Sequence, residues 1–168
     1  EAQVTKCNLS EPIYFAHIAK NPKDPTNIRS FRVAALTARS LMFNKTYKMV
    51  CRLNPETPKT AEALDIEKAL VDIVQNSRKG IALFIGGTGT GKTTTMAGII
   101  RSTLERPSTG KHILIFEDPP EVSYEKVKQA PGNSVSIHEV GSLETDSDVL
   151  SFDSGLKVAL RLRPNIRV

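Results

Sequence analysis

Cysteine is scarce in this chain, with Cys7 and Cys51 the only two. Two such residues cannot make a disulfide framework, nor do they have the spacing of zinc ligands. Their mixed apolar surroundings predict buried thiols rather than reactive ones. Long apolar runs are also missing: none approaches the roughly 20 residues that a spanning helix needs. The first residues, beginning at Glu1, do not have the pattern of a signal peptide. A cytosolic protein is the economical expectation. Aromatics make up only 5% of the chain, and no basic cluster is interleaved with them. That excludes the usual surface for gripping single-stranded nucleic acid, which stacks bases on aromatic rings within a positive groove.

What is present suits a soluble globular protein, at 39% hydrophobic and 24% charged residues. The 168 residues have room for one full domain and a piece of another. Charge is uneven along them. Residues 1–58 hold nine Lys/Arg against four Asp/Glu, whereas residues 59–168 hold fourteen of each, so the whole excess of +5 lies in the first part. A basic surface of this kind could meet nucleic acid, an acidic membrane face or a neighbouring subunit's phosphates, or could simply be solvated.

The stretch Gly86-Gly87-Thr88-Gly89-Thr90-Gly91-Lys92-Thr93 fits the G-x-x-x-x-G-K-[ST] pattern of a phosphate-binding loop. Ile81-Ala82-Leu83-Phe84-Ile85 before it reads as a buried strand, and Thr94–Glu105 after it as a helix with Met96, Ile99, Ile100 and Leu104 on one stripe. Glycines leave backbone N–H groups open to an anion and permit positive φ. The turn then hands phosphates to a helix N-terminus, where unpaired N–H groups and the helix dipole favour negative charge. Lys92 can reach the β- and γ-phosphates and the Thr93 hydroxyl can ligate Mg²⁺, which predicts a nucleotide-binding protein. Thr94 belongs to the same turn, though its hydroxyl is read as a helix-start group.

Around this unit, Ile28–Leu36 and Thr46–Leu53 have strand-like composition and could pair antiparallel across Asn44-Lys45. Asn54-Pro55-Glu56-Thr57-Pro58 interrupts the pattern and reads as a linker, giving a first domain over 1–54, a linker over 55–60 and a second domain over 61–168. A helix is expected from Thr60 to about Arg78, a strand over Lys111–Phe116, a short strand over Ser134–Val140 and a helix over about Ser151–Arg161. That alternation argues an α/β domain with a parallel sheet. The second strand ends on Glu117-Asp118-Pro119-Pro120-Glu121, which puts acids where open α/β sheets place their ligands. Phosphoryl transfer to water needs a residue to orient and deprotonate that water. An acid is also wanted at the end of a later strand, and Ile166–Val168 carries none, so the chain is read as a fragment. His17, His112 and His138 are not spaced as metal ligands.

The loop, together with Ile113-Leu114-Ile115-Phe116-Glu117-Asp118-Pro119-Pro120-Glu121, closely resembles the secretion-ATPase superfamily of type II secretion, type IV pilus, conjugation and type IVB secretion motors. Glu139-Val140-Gly141, Ala159-Leu160-Arg161 and Pro164 resemble the stretch leading into that family's Walker B strand, and Phe31-Arg32-Val33 with Cys51–Pro55 the closing strands of its PAS-like domain. The resemblance implies an α/β fold with a RecA-like P-loop core, truncated here, preceded by the C-terminal part of a PAS-like α+β domain. It implies ATP and Mg²⁺ as cofactors, with Lys92 and Thr93 holding them. Glu121 matches the general base, supported by Glu117 and Asp118; Arg52, and more loosely Arg39, fall where the family presents arginines to a neighbouring subunit's nucleotide. Pro120 replaces a usual apolar residue, and Lys157 stands where arginine is common. The implied setting is a homo-oligomeric, hexameric ring in the cytoplasm or at the inner membrane face. Its partners there would be inner-membrane components of a secretion, pilus or conjugation machine. DNA as a partner is open but not indicated. A P-loop DNA translocase or helicase, or a nucleotide-binding regulatory module without turnover, are the alternatives, and the 168 residues alone are expected to hydrolyse ATP weakly or not at all.

Overall fold

A computed structural model describes residues 13–21, 23–38, 46–107, 110–141 and 147–168. The chain divides into two compact units. One takes the residues up to Asn54 together with Pro119–Glu121; the other takes Pro55–Asp118 and Val122–Val168.

The first unit is an antiparallel sheet of β1 (Ile13–Asn21), β2 (Asp24–Ala38) and β3 (Thr46–Leu53) in the order β1-β2-β3. The two strands expected from the sequence are present as β2 and β3, and β1 was not recognised as one. Residues 44 and 45, expected in the connection between β2 and β3, lie outside the described residues. Strand β2 is central and buries Val33 and Ala35. β3 lies at the edge and is exposed along nearly its whole length. Cys51 is exposed, contrary to expectation: among the described residues no strand lies on the outer side of β3, and register with the buried Val33 does not cover it. Cys7 lies outside the described residues.

The second unit is built on a parallel sheet of order β5-β4-β6, with β4 (His112–Glu117), β5 (Ser134–Glu139) and β6 (Ile166–Arg167). Successive residues of a strand face opposite sides, and β4 uses both. Ile113 and Ile115 join Ala97, Ile100 and Leu104 of helix α2 (Lys92–Glu105) and Val122, Tyr124 and Val127 of the following loop. Leu114 and Phe116 pack instead with Val140 and with Ala159 of helix α3 (Phe152–Leu162). Gly155 is what lets α3 approach, since a Cβ there would stand 2.9 Å from the Phe116 ring. Helices on both faces of a parallel sheet make this an α/β core.

The single helix expected from Thr60 is broken in two. A 3₁₀ turn at Glu62–Leu64 ends at Asp65 in the left-handed region, φ 54°, and helix α1 runs only over Lys68–Asn76. The apolar spacing carried across the break because Ile66, Leu70 and Val74 still pack on Ala61, Val71 and Ile99.

The C-terminal end of α2 has no glycine cap. Its carbonyls are taken by the buried Asn133, whose Nδ2 donates to Thr103 O, Leu104 O and Arg106 O at 3.2, 3.0 and 2.9 Å. Its Oδ1 accepts from Lys111 N–H at 2.9 Å, where β4 is about to begin.

Candidate nucleotide-binding site

The loop Gly86–Thr93 stands in the second unit and closes on itself before α2. Thr90 Oγ1 donates to Gly87 O at 2.8 Å, and Lys92 Nζ donates to the same carbonyl at 2.7 Å. A Cβ at Gly86 would come within 2.8 Å of Thr90 Oγ1, so a side chain there would displace the hydroxyl that closes the turn. Gly89 and Gly91 take φ of 79° and 95°, a region that side chains resist. Gly91 is the N-cap of α2, with no side chain to cap the helix. The first intrahelical bond is Thr95 N–H to Gly91 O, at 2.8 Å. The N–H groups of Lys92, Thr93 and Thr94 therefore stand in the turn where a helix has no acceptors of its own. Gly86–Thr90 and Thr94 are exposed, and Gly91–Thr93 half-buried. A cradle of open N–H groups beside an ammonium and a hydroxyl fits a phosphate chain and its divalent cation.

The segment leading into the loop departs from expectation. Residues 81–85 form no strand, and Ile81, Leu83 and Ile85 are 88, 76 and 89% exposed. Composition had suggested a buried strand, but no described strand is hydrogen-bonded to it, so there is no ladder to cover the apolar edge. Phe84 alone turns inward, onto the cluster of Ala61, Val71 and Ile99.

Acids collect at the carboxyl ends of the sheet. Glu117 closes β4 and is in register with Glu139, which closes β5. Burial raises the Glu139 carboxyl above its ordinary value, and the nearby charges of Asp118 and Asp148 push it further the same way. Glu139 N–H nonetheless donates to Asp148 Oδ2 at 2.9 Å, which anchors the loop beyond β5. Tyr124 is held neutral to well above its ordinary pKa, chiefly by burial and then by the Glu117 charge. Glu139 was not singled out from the sequence, although the strand-end rule applied to Ser134–Val140 places an acid at this same end of the sheet.

Glu121 belongs to the other unit. There its carboxylate meets the Arg32 guanidinium of β2, and Asn54 Nδ2 donates to Pro120 O at 3.2 Å. Arg52 is exposed on β3, in register with Arg32. Arg39 lies outside the described residues.

The family model for the type II/IV secretion system protein matches residues 27–168. The chain belongs to that family. Among curated proteins it is 37% identical over 139 residues to the type IV pilus ATPase PilU of Pseudomonas aeruginosa, covering 83% of this chain and 32% of that one. Among solved structures, the X-ray structure of the Yersinia pseudotuberculosis ATPase DotB matches with a TM-score of 0.72 at 26% identity, over 98% of this chain and 42% of that one. That of Legionella pneumophila DotB matches at 0.78 and 22% identity, over 99% and 41%. The fold is thus that of the P-loop core these structures contain, and the chain spans about a third of the length of the curated relatives it matches.

Proposed function

We propose that this chain is the ATP-binding and hydrolysing part of a motor ATPase that powers secretion, pilus dynamics or conjugative transfer. The observation that carries the reading is the loop itself: an uncapped helix start, two glycines at positive φ and Lys92 folded over the turn. Membership in a family with a relative named as a pilus ATPase supports the same reading.

In this proposal Lys92 neutralises the β- and γ-phosphates and the N–H groups of 92–94 hold their oxygens. Thr93 offers its hydroxyl to Mg²⁺, which when bound offsets the charge that develops in phosphoryl transfer. Glu121 orients and deprotonates the attacking water, with Glu117 and Asp118 shaping the field around it. Residues 1–54 are read as the end of a PAS-like domain, 55–60 as the linker and 61–168 as the ATPase core. Arg52, exposed on β3, is free to serve a neighbouring subunit's nucleotide in a ring, as an arginine finger does. A cytoplasmic motor at the inner membrane face accords with the described residues, among which no helix is long and apolar enough to cross a membrane.

The test is nucleotide binding followed by calorimetry. The wild-type chain should bind Mg-ATP and Lys92→Ala should not. Equal binding by the two would sink the proposal. The subunit arrangement is tested apart, by mixing intact Arg52→Ala and Glu121→Gln proteins. Recovered hydrolysis after subunit exchange supports a composite site, and none assigns Arg52 to its own subunit.

A further inference from the structure

Strands β2 and β3 put two arginines side by side. Arg32 and Arg52 are direct partners in the antiparallel register, so their side chains leave the same face of the sheet. Like charges placed directly opposite destabilise a sheet unless something neutralises them. Arg52 answers by standing exposed to water. Arg32 cannot do so fully: its Nε is buried and without a hydrogen-bond acceptor. What it has is Glu121, whose carboxylate meets its guanidinium. A guanidinium with a desolvated edge interacts strongly with its counter-ion, and losing that counter-ion would leave a poorly hydrated charge.

The turn bearing Glu121 is tied to the same unit a second time. Asn54, at the end of β3, is buried; its N–H donates to Ser30 O at 2.8 Å. Its Nδ2 donates both to Ser30 Oγ and to Pro120 O, each at 3.2 Å. The bonds to Ser30 lock Asn54 onto β2, and the remaining one holds the backbone one residue before Glu121.

We propose that Arg32 is the positioning residue of Glu121, keeping its carboxylate ionised and fixed to β2, so that the side chain moves with the first unit rather than with the strand it follows. The proposal rests on reading Glu121 as the base of the ATPase. Its consequence is that hydrolysis depends on Arg32, a residue distant in sequence from both the phosphate loop and the acidic turn. The cation that meets this carboxylate is Arg32 on β2, with Arg52 its register partner on β3. A guanidinium against a carboxylate favours the ionised form.

The pair can be tested without nucleotide. In the 168-residue chain, the Glu121 carboxyl ¹³C resonance, assigned by its loss in Glu121→Gln, is followed against pH. Arg32→Ala should move its midpoint upward by about one to three pH units. Arg32→Lys should restore most of the shift, and Arg32→Gln, which keeps part of the stem and a polar end without the charge, should behave as alanine does if Arg32→Ala does not fold. A midpoint unmoved in Arg32→Gln or Arg32→Ala overturns the proposal. In the intact protein, Arg32→Ala should move the acidic limb of kcat/KM in the same sense and change the Kd for Mg-ATP less than about threefold. Loss of nucleotide binding with an unmoved limb would reassign Arg32 to the nucleotide and overturn the proposal as well. Failure of the underlying reading shows separately: Glu121→Gln would then hydrolyse ATP at the wild-type rate, whatever the carboxyl titration shows.

Discussion

Two apolar pentads of the second unit look interchangeable on paper, and they have opposite fates. Ile113-Leu114-Ile115-Phe116-Glu117 is the inner part of β4, and its four apolar residues are buried. Ile81-Ala82-Leu83-Phe84-Ile85 precedes the phosphate loop and leaves all but Phe84 open to solvent. Both lead into a turn with a proposed chemical role. What differs is company. β4 has β5 on one side and β6 on the other, so its N–H and C=O groups are paired and α2 and α3 can close over its faces. Residues 81–85 have no described strand beside them. An apolar run reports a demand for burial; whether the demand is met depends on hydrogen-bond partners that the run does not itself encode.

The comparison predicts that the paired segment carries stability. Ile115→Ala removes a side chain only 1% exposed between α2 and the sheet. It should cost about 2–5 kcal/mol in urea or thermal unfolding, the ordinary range for a large-to-small change in a core that cannot collapse. A loss under about 1 kcal/mol would mean that the central strand is loosely packed in solution.

The open segment's own turn should carry activity instead. Lys92 makes its polar contact with a loop carbonyl and is not part of a packed core. In the intact protein, Lys92→Ala should lower ATP turnover by about 10²–10³-fold, the scale of losing one group aimed at transition-state charge. Its unfolding midpoint without nucleotide should hardly move. Wild-type phosphate release, or a collapse of stability, would erase the contrast between the two arms.

How much of this was legible beforehand divides along the same line. The loop could be read because its chemistry is local: glycines, lysine and threonine must follow one another to make that turn, and Gly86, Gly89 and Gly91 each have a steric reason to be there. β4, β5, α2 and α3 were legible because burial on one or both faces leaves a periodic trace. Arg32 was not, since nothing near it in sequence shows that Glu121 will arrive beside it. The part Asn133 plays in holding the end of α2 was not legible either, because a side-chain cap supplied from a distant loop leaves no pattern within the helix. The break at Asp65 was hidden by apolar spacing that suits a 3₁₀ turn and a helix packed on the same core.

A smaller effect belongs to the acids at the ends of the paired strands. The Glu139 carboxyl is raised by burial and by Asp118 and Asp148, so the folded protein holds its proton more tightly than the unfolded chain does. Stability is then lost as pH rises from the ordinary value of 4.5 through the raised one, and the deficit persists above it. Glu139→Gln removes this titration. Its melting temperature should equal that of the wild type at about pH 4 and exceed it at about pH 8, a difference that grows with pH. A constant offset across that range would show that burial and neighbouring charge do not act on this group.

The smallest effect is expected where sequence reading promised a core. Leu83 is 76% exposed, so Leu83→Ser uncovers little buried area and opens no cavity. In the 168-residue chain it should change unfolding free energy by no more than about 0.5 kcal/mol, as exposed substitutions do. Phe84 is the control beside it. Its ring packs on the cluster of Ala61, Val71 and Ile99, so Phe84→Ser should destabilise clearly while sharing the same backbone and the same approach to the loop. If both substitutions cost more than about 1 kcal/mol, residues 81–85 are paired or covered in solution. The contrast with β4 would then fail at its open end. If only Phe84→Ser does, the segment rests on α1 and α2 by one side chain, and the loop is held from its helix rather than from a strand.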